Sequence, residues 1–286
     1  MSESEDASRT AAEEQAALWN GPAGDAWVQE QAVLDAMFKP VEDLLVDWVC
    51  TNPGSHVLDV GCGTGATTIA VARGVGPDGR SVGIDISQPM ITLARARAEQ
   101  AGSGATFICA SAQDHDFDGA AFDTIISRFG VMFFGDFARA FANLRGAATD
   151  DARANFIVWR GAAENPFMTT AEHAAAPLLP DLPSRRPDGP GQFAFADPES
   201  TRRVLEQGGW ADIEIRPIDV TCALPESGLM GYVSRLGPLA LALREADERT
   251  RAKVIETVRR AFDPYVDGAE VSFTAACWTV QAKAGV

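Results

Sequence analysis

Residues Val57–Ala66 read VLDVGCGTGA, an aliphatic run around an aspartate followed by glycine at every second position, Gly61, Gly63 and Gly65. The apolar run predicts a buried strand over His56–Gly61, and the residues from Ala66 to Arg73 a helix behind it. A glycine-rich turn from strand to helix leaves bare backbone that a ligand can approach, with helix N-terminal amides behind it. Gly61, Gly63 and Ala66 also satisfy the G-x-G-x-x-G/A pattern of dinucleotide-binding turns, so the glycines alone do not choose the ligand. Asp59 narrows it. Two residues before Gly61, at the carboxyl end of the strand, it repels a pyrophosphate but suits a cation. Asp85 closes the next strand, where a carboxylate can accept two hydrogen bonds from a ribose diol. The plainer reading of Asp85 is an acid at a helix N-terminus.

The same alternation continues outward. SVGIDI (Ser81–Ile86), ATFICA (Ala105–Ala110), FDTIIS (Phe122–Ser127) and ANFIVW (Ala154–Trp159) read as further strands. Ser87 is placed to cap the helix after the second strand, and Asp136–Ala147 reads as another helix. Strands alternating with helices argue for a parallel sheet covered on both faces. The segment from Gly161 to Pro198 breaks the rhythm with Pro166, Pro177, Pro180, Pro183, Pro187 and Pro190, leaving a loop with one short helix near Thr169–Ala176. Glu199–Gln207 reads as a helix, Ala211–Val220 as a strand, residues 225–265 as helical and Val271–Ala282 as a last strand. Before the first strand, residues 1–12 are expected to be disordered, and 13–49 to be helical with a glycine–proline interruption at WNGPAGDAW (Trp19–Trp27).

The 286-residue chain has a formal charge of −16 and enough apolar residues, 46%, for a sizeable core. Such acidity disfavours nucleic acid and anionic membranes as partners. Five cysteines (Cys50, Cys62, Cys109, Cys222, Cys277), odd in number and without a C-x-x-C pair, suggest neither a disulfide framework nor a metal site. With no signal-peptide pattern and no apolar run of about 18 residues, the expected location is the cytoplasm.

Taken together, DVGCGTG, GIDIS and SRFGVMFF resemble the class I S-adenosylmethionine-dependent methyltransferases, nearest the ubiquinone/menaquinone-biosynthesis-like small-molecule group. The resemblance covers about residues 15–160. It implies an α/β fold: a Rossmann-like, doubly wound seven-stranded sheet with an antiparallel last strand, plus a helical cap. Residues 1–50 would be an N-terminal helical lid, and 51–286 a methyltransferase domain with substrate-cap insertions at about 161–198 and 225–265. By position, Asp59, Gly61, Gly63 and Gly65 would line the methionine moiety of S-adenosylmethionine, Asp85 the ribose and Ile86 the adenine. In CASAQD (Cys109–Asp114), Ser111 stands where this family often has an aspartate for the adenine amino group. Ala112 would offer its backbone amide to the ring, and Gln113 or Asp114 could stand in for the missing acid.

Ser127 and Arg128 would border the sulfonium, and Trp19 and Trp27 would form a lid, with plain core packing as their alternative. Phe129 and Met132 of FGVMFF, with Trp159, would form an apolar acceptor pocket or simply a packing face. His173 is a candidate substrate contact or base, against the reading of a solvated helix. The implied reaction is methyl transfer to a small, apolar or aromatic acceptor, giving S-adenosylhomocysteine. The Asn/Asp-Pro-Pro-Tyr sequence of many nucleic-acid and protein N-methyltransferases is absent from SRFGVM. Two rivals remain: a non-catalytic S-adenosylmethionine-binding protein, and a nicotinamide-dependent oxidoreductase. The latter is disfavoured by Asp59 and by Tyr232 and Tyr265, neither of which has lysine four residues on. A homo-oligomer is compatible with the sequence.

Overall fold

The computed structural model describes residues 3–49, 53–119, 121–183 and 189–285. Of the residues singled out above, Cys50 and Pro187 lie outside the described residues. Three helices come first: α1 (Glu3–Trp19), α2 (Pro22–Gln29) and α3 (Gln31–Val49). The alternating part follows as β1 (His56–Val60), α4 (Ala66–Val75), β2 (Arg80–Asp85), α5 (Gln88–Gln100), β3 (Thr106–Cys109), β4 (Phe122–Arg128), α6 (Phe137–Ala147) and β5 (Ala148–Trp159). Then come α7 (Pro166–Ala175), α8 (Pro198–Gln207), β6 (Trp210–Pro225), α9 (Glu226–Arg235), α10 (Gly237–Glu245) and α11 (Glu248–Ala261). A two-residue β7 (Val266–Asp267) and β8 (Glu270–Ala284) end the described order.

The sheet order is β3-β2-β1-β4-β5-β8-β6, with β7 paired to β8 beside that path. β3, β2, β1, β4 and β5 run parallel, and β8 is antiparallel to both β5 and β6. This is the Rossmann-like doubly wound architecture expected. The first strand is central because it is apolar on both faces: Val57, Leu58 and Val60 are all buried. The order reverses between β1 and β4, so their carboxyl ends define the crevice where open α/β sheets bind ligands. There the backbones nearly touch. A Cβ on Gly61, whose φ is +68°, would stand 2.5 Å from Gly130 Cα.

α3 buries Leu34, Met37, Phe38, Val41, Leu45 and Val49 and packs on β4, β5 and β6. Each such side chain contributes roughly 1.5–3 kcal/mol by leaving water. The helix therefore belongs to the core of the sheet domain as much as to the N-terminal cover.

Three expectations are corrected. Residues 3–12 are helical rather than disordered, continuing without a break into the rest of α1, whose far end is anchored. Ser87 Oγ donates to the Trp19 carbonyl at 2.6 Å, and Asn20 bonds both the Ile86 carbonyl (3.0 Å) and the Gln88 amide (2.9 Å). β5 begins at Ala148, six residues before the apolar run, joining β4 through a register irregularity. β6 runs on to Pro225 because β8 pairs with it along that whole length. Local apolar pattern does not report either extension; both are set by the partner strand. Among the described residues no helix is long and apolar enough to cross a membrane.

Candidate active site

A cavity of about 470 Å³ opens at the carboxyl ends of β1, β2 and β4 and continues under α7, α9 and α10. A second cavity of about 440 Å³, between α3, α4 and α5, is lined by Asp35, Lys39, Arg73 and Arg97 and holds none of the residues expected at a site. The first is therefore the candidate.

One end is the cradle. Asp59, 1% exposed, lies where β1 gives way to the glycine turn, and Thr68 Oγ1 donates to its Oδ2 at 2.7 Å. Burial pushes the Asp59 carboxyl up to about 6, against the pull of the Thr68 hydroxyl and the Arg128 charge. Asp85 is positioned by the loop it closes: its Oδ2 accepts from Gly63 N and its Oδ1 from Ser87 N, each at 2.9 Å. Burial raises its carboxyl as well, and these backbone bonds oppose the shift. A carboxylate has about four acceptor sites, so Asp85 keeps capacity for two hydroxyls. Gly63, at φ +53°, would meet only Met90 Sδ (3.7 Å) and Trp27 Nε1 (3.8 Å) if given a Cβ. Its bare backbone thus faces the cavity under the Trp27 indole. Ile86, Ser111, Ala112 and Gln113 line the adjoining wall. Gln113 Oε1 is engaged, accepting from Asp136 N at 2.9 Å. Asp114 pairs with Arg139 at 2.6 Å and lies outside the lining.

Trp19 and Trp27 both line the cavity, edge to face at 5.8 Å, and Trp19 also meets Phe133 at 5.2 Å. Gly24 makes this fold-over possible, since a Cβ there would lie 2.0 Å from the Trp19 carbonyl oxygen.

The other end is aromatic. Phe129 stacks on Trp159 with centroids 4.5 Å apart and planes 10° from parallel, and Phe38 meets both edge to face at 5.3 and 6.0 Å. Phe129 holds a left-handed backbone, φ +65°, which a non-glycine residue adopts at a cost of roughly 1–2 kcal/mol. The stack and a 3.0 Å bond from its amide to the Ile157 carbonyl keep it there. Met132, Phe167, Met168, Tyr232, Leu239 and Phe262 complete the wall.

Three expected residues stand elsewhere. Gly65 caps α4, and a Cβ on it would lie 2.9 Å from Ala94 and Phe107; its bareness serves helix–strand packing. Ser127 is fully buried, donating to the Val60 carbonyl (2.7 Å) and accepting from Gly130 N and Val131 N, so it ties β1 to the turn after β4. His173 is exposed and off the cavity, whereas Ala171 and Glu172 of the same helix line it. The i to i+1 rotation of a helix, about 100°, decides which neighbour faces in. Sequence reasoning did not find Phe38, Phe167 or Tyr232 as lining residues, because each sits in an ordinary amphipathic helix and only tertiary docking turns it to the cavity. Among the described residues no group of His, Cys, Asp and Glu could hold a metal ion.

The arrangement can hold a nucleoside with a cationic tail beside an apolar molecule. A cradle of free acceptors and bare backbone fits S-adenosylmethionine: Asp59 for the positive end, Asp85 for the ribose, Gly63 where a side chain would obstruct. Comparison with known proteins bears on the domain and its fold. Residues 57–150 match the family model described as a methyltransferase domain. The chain is 35% identical over 117 residues to nocamycin O-methyltransferase of Saccharothrix syringae, covering 41% of this chain and 42% of that protein. It is 26% identical over 184 residues to a demethylmenaquinone methyltransferase of Roseiflexus castenholzii, covering 61% and 75%. The match thus spans less than half the length of the first relative and three quarters of the second. The fold is similar to that of a solved SAM-dependent methyltransferase from Aquifex aeolicus, with TM-score 0.54, 14% identity and coverage of 92% and 98%.

Proposed function

Taking the methyltransferase domain at residues 57–150 as the premise, we propose that this chain transfers a methyl group from S-adenosylmethionine to a small apolar or aromatic acceptor, leaving S-adenosylhomocysteine. The observation that carries the reading is the continuity of one cavity from the Asp59–Gly63–Asp85 cradle to the Phe129–Trp159 wall. A donor site and an acceptor site must share a space for in-line displacement, and these two do.

When bound, S-adenosylmethionine would supply an electrophilic methyl carbon, to which the acceptor's nucleophilic atom bonds as the carbon–sulfur bond breaks and the sulfur leaves with that electron pair. The chain's own residues supply placement. Asp59 offers negative charge to the cationic end, Asp85 accepts from the ribose hydroxyls, and Ile86, Ser111 and Ala112 border the base. Phe129, Trp159 and Met132 hold the acceptor and exclude water, and α1 and α2 close over the donor through Trp19 and Trp27. Holding two reactants at attack distance can supply roughly 7–11 kcal/mol of a barrier. The described residues of 161–198 and 225–265 act as the cap over the acceptor. Nothing in the cavity favours the non-catalytic reading, and buried Asp59 at the turn opposes a dinucleotide phosphate.

Calorimetry with S-adenosylhomocysteine is the first test: the protein binds it in the micromolar range, and no binding sinks the donor assignment. Mass spectrometry of cell extracts incubated with methyl-labelled donor is the second. A labelled small molecule is expected, and binding without transfer to any acceptor would restore the non-catalytic rival.

A further inference from the structure

Every half-buried arginine among the described residues has a strong partner, with one exception. Arg97 reaches the Thr64 carbonyl at 2.6 Å, Arg145 the Gly285 carbonyl at 2.7 Å, Arg160 Glu164 at 2.9 Å, Arg202 the Ile213 carbonyl at 2.6 Å, Arg251 the Ala246 carbonyl at 2.8 Å and Arg259 Glu226 at 2.6 Å. Arg128 has only a 3.5 Å approach to the Phe38 carbonyl, at the outer limit of a hydrogen bond, and a position 6.0 Å from the Phe38 ring centroid. Among the described residues no ion pair includes Arg128, although Asp59 is near enough for the two charges to act on each other. A guanidinium carries five donors; the Asp59 charge reaches Arg128 from a distance, but leaving those donors without a direct partner in a half-buried place costs folding free energy.

Arg128 lines the cavity where its two halves meet. On one side is the cradle; on the other is Phe38, which packs on the stacked Phe129 and Trp159. A fixed positive charge repels a sulfonium, so bordering the sulfonium, the role implied by resemblance, leaves the cost of Arg128 unexplained. Oxyanions answer it, because the guanidinium fork matches a carboxylate and stacks on aromatic surfaces.

We propose that Arg128 recognises an ionised oxygen on the acceptor, a carboxylate or an acidic enol or phenol, and so restricts the site to anionic aromatic acceptors. The inference rests on the methyl-transfer reading of the cavity and names the acceptor's charge. No histidine of the described residues appears in the lining, whose carboxylates are Asp59, Asp85 and Glu172; an oxygen already ionised needs no base from among them. Methylation of that oxygen would erase its charge, and with it the attraction that Arg128 exerts.

The same chemistry has a second possible source, the carboxylate of the donor's own methionine moiety. Binding separates the two. Calorimetry on the S-adenosylhomocysteine complex would use 2-naphthoate and neutral 2-naphthamide as probes. The acid is expected to bind the unmodified protein tightly relative to the amide, by roughly ten- to hundredfold for a charged hydrogen-bonded pair. Arg128→Met should abolish that preference, leave the amide unchanged and leave S-adenosylhomocysteine affinity within about twofold. Arg128→Lys, which keeps the charge and size, should retain part of the preference and guards against a misfolded methionine variant. Equal binding of acid and amide to the unmodified protein, or absence of acid binding, overturns the proposal. So does a variant that loses S-adenosylhomocysteine affinity while keeping the acid preference, since Arg128 would then serve the donor. Failure of the unmodified protein to bind S-adenosylhomocysteine at all would instead strike the underlying methyl-transfer reading.

Discussion

The two ends of the cavity are built differently. The donor cradle comes from two short stretches, Asp59–Gly63 and Asp85–Ser87, joined by backbone hydrogen bonds such as Gly63 N to Asp85 at 2.9 Å. The acceptor wall is collected from α3, the turn after β4, the end of β5, α7 and α9, and is held by ring packing. One end is fixed by backbone geometry and refuses an added atom at Gly61; the other is fixed by side-chain packing and can be reshaped one residue at a time. The contrast separates a part that must stay constant for one ligand from a part that can vary with another.

The contrast breaks most severely at Gly61. Gly61→Ala adds a Cβ 2.5 Å from Gly130 Cα in a left-handed backbone, so roughly 3 kcal/mol or more of stability should be lost. Urea denaturation measures it, and an unchanged midpoint would refute the close approach. Next is Asp85→Asn, which keeps the shape but removes the charge from the ribose acceptor. A roughly ten- to hundredfold loss of S-adenosylhomocysteine affinity is expected by calorimetry, with acceptor-probe binding little changed.

Asp59 gives a pH signature. Its carboxyl, ordinarily near 3.8, is raised to about 6 by burial, so the folded protein holds this proton more tightly than the unfolded chain. The associated stability is complete below pH 3.8 and is lost as pH rises through about 6. Asp59→Asn should therefore stabilise the ligand-free protein progressively as pH rises from 3.8 to about 6, reaching ~2–3 kcal/mol above that, as read by melting curves at pH 4 and 8. S-adenosylmethionine affinity should fall below pH 6 in the unmodified protein and lose that dependence in the variant.

Trp159→Leu probes the other end: acceptor-probe affinity should drop about tenfold while donor affinity stays within twofold, the ring stack being worth roughly 0.5–1.5 kcal/mol beyond burial. Comparable losses on both sides would show the two ends to be one packed unit. The smallest effect belongs to Asn20→Ala, which removes the bonds to Ile86 and Gln88. A two- to fivefold faster release of S-adenosylhomocysteine in stopped-flow measurements is expected, from about 1 kcal/mol or less per exposed bond.

Legibility in the sequence follows the same division. Asp59, Gly61, Gly63 and Asp85 were readable because strand, turn and helix are local events with their own residue chemistry. The parallel strands and the antiparallel last strand followed from alternation and from family resemblance, whereas the strand order is set by tertiary pairing. Gly65 and Ser127 fall inside the readable motif but do packing and tethering, which spacing cannot distinguish from lining. His173 illustrates the limit at the acceptor end: composition placed it in the right helix, and only docking of α7 decided that Ala171 and Glu172 face in. Arg128 could be located from sequence, but its want of a partner is visible only when every neighbour is in place.

β8 lies between β5 and β6 although it follows both in the chain, and Arg153 pairs with Lys283 more than a hundred positions away. Such distant closure is entropically costly and slow. Until β8 arrives, β5 and β6 each present an unpaired edge, and bare edges invite pairing with other molecules. The hazard for this protein is thus one of timing: aggregation competes with a single insertion event, and substitutions along β8 should lower soluble yield before they touch the cavity.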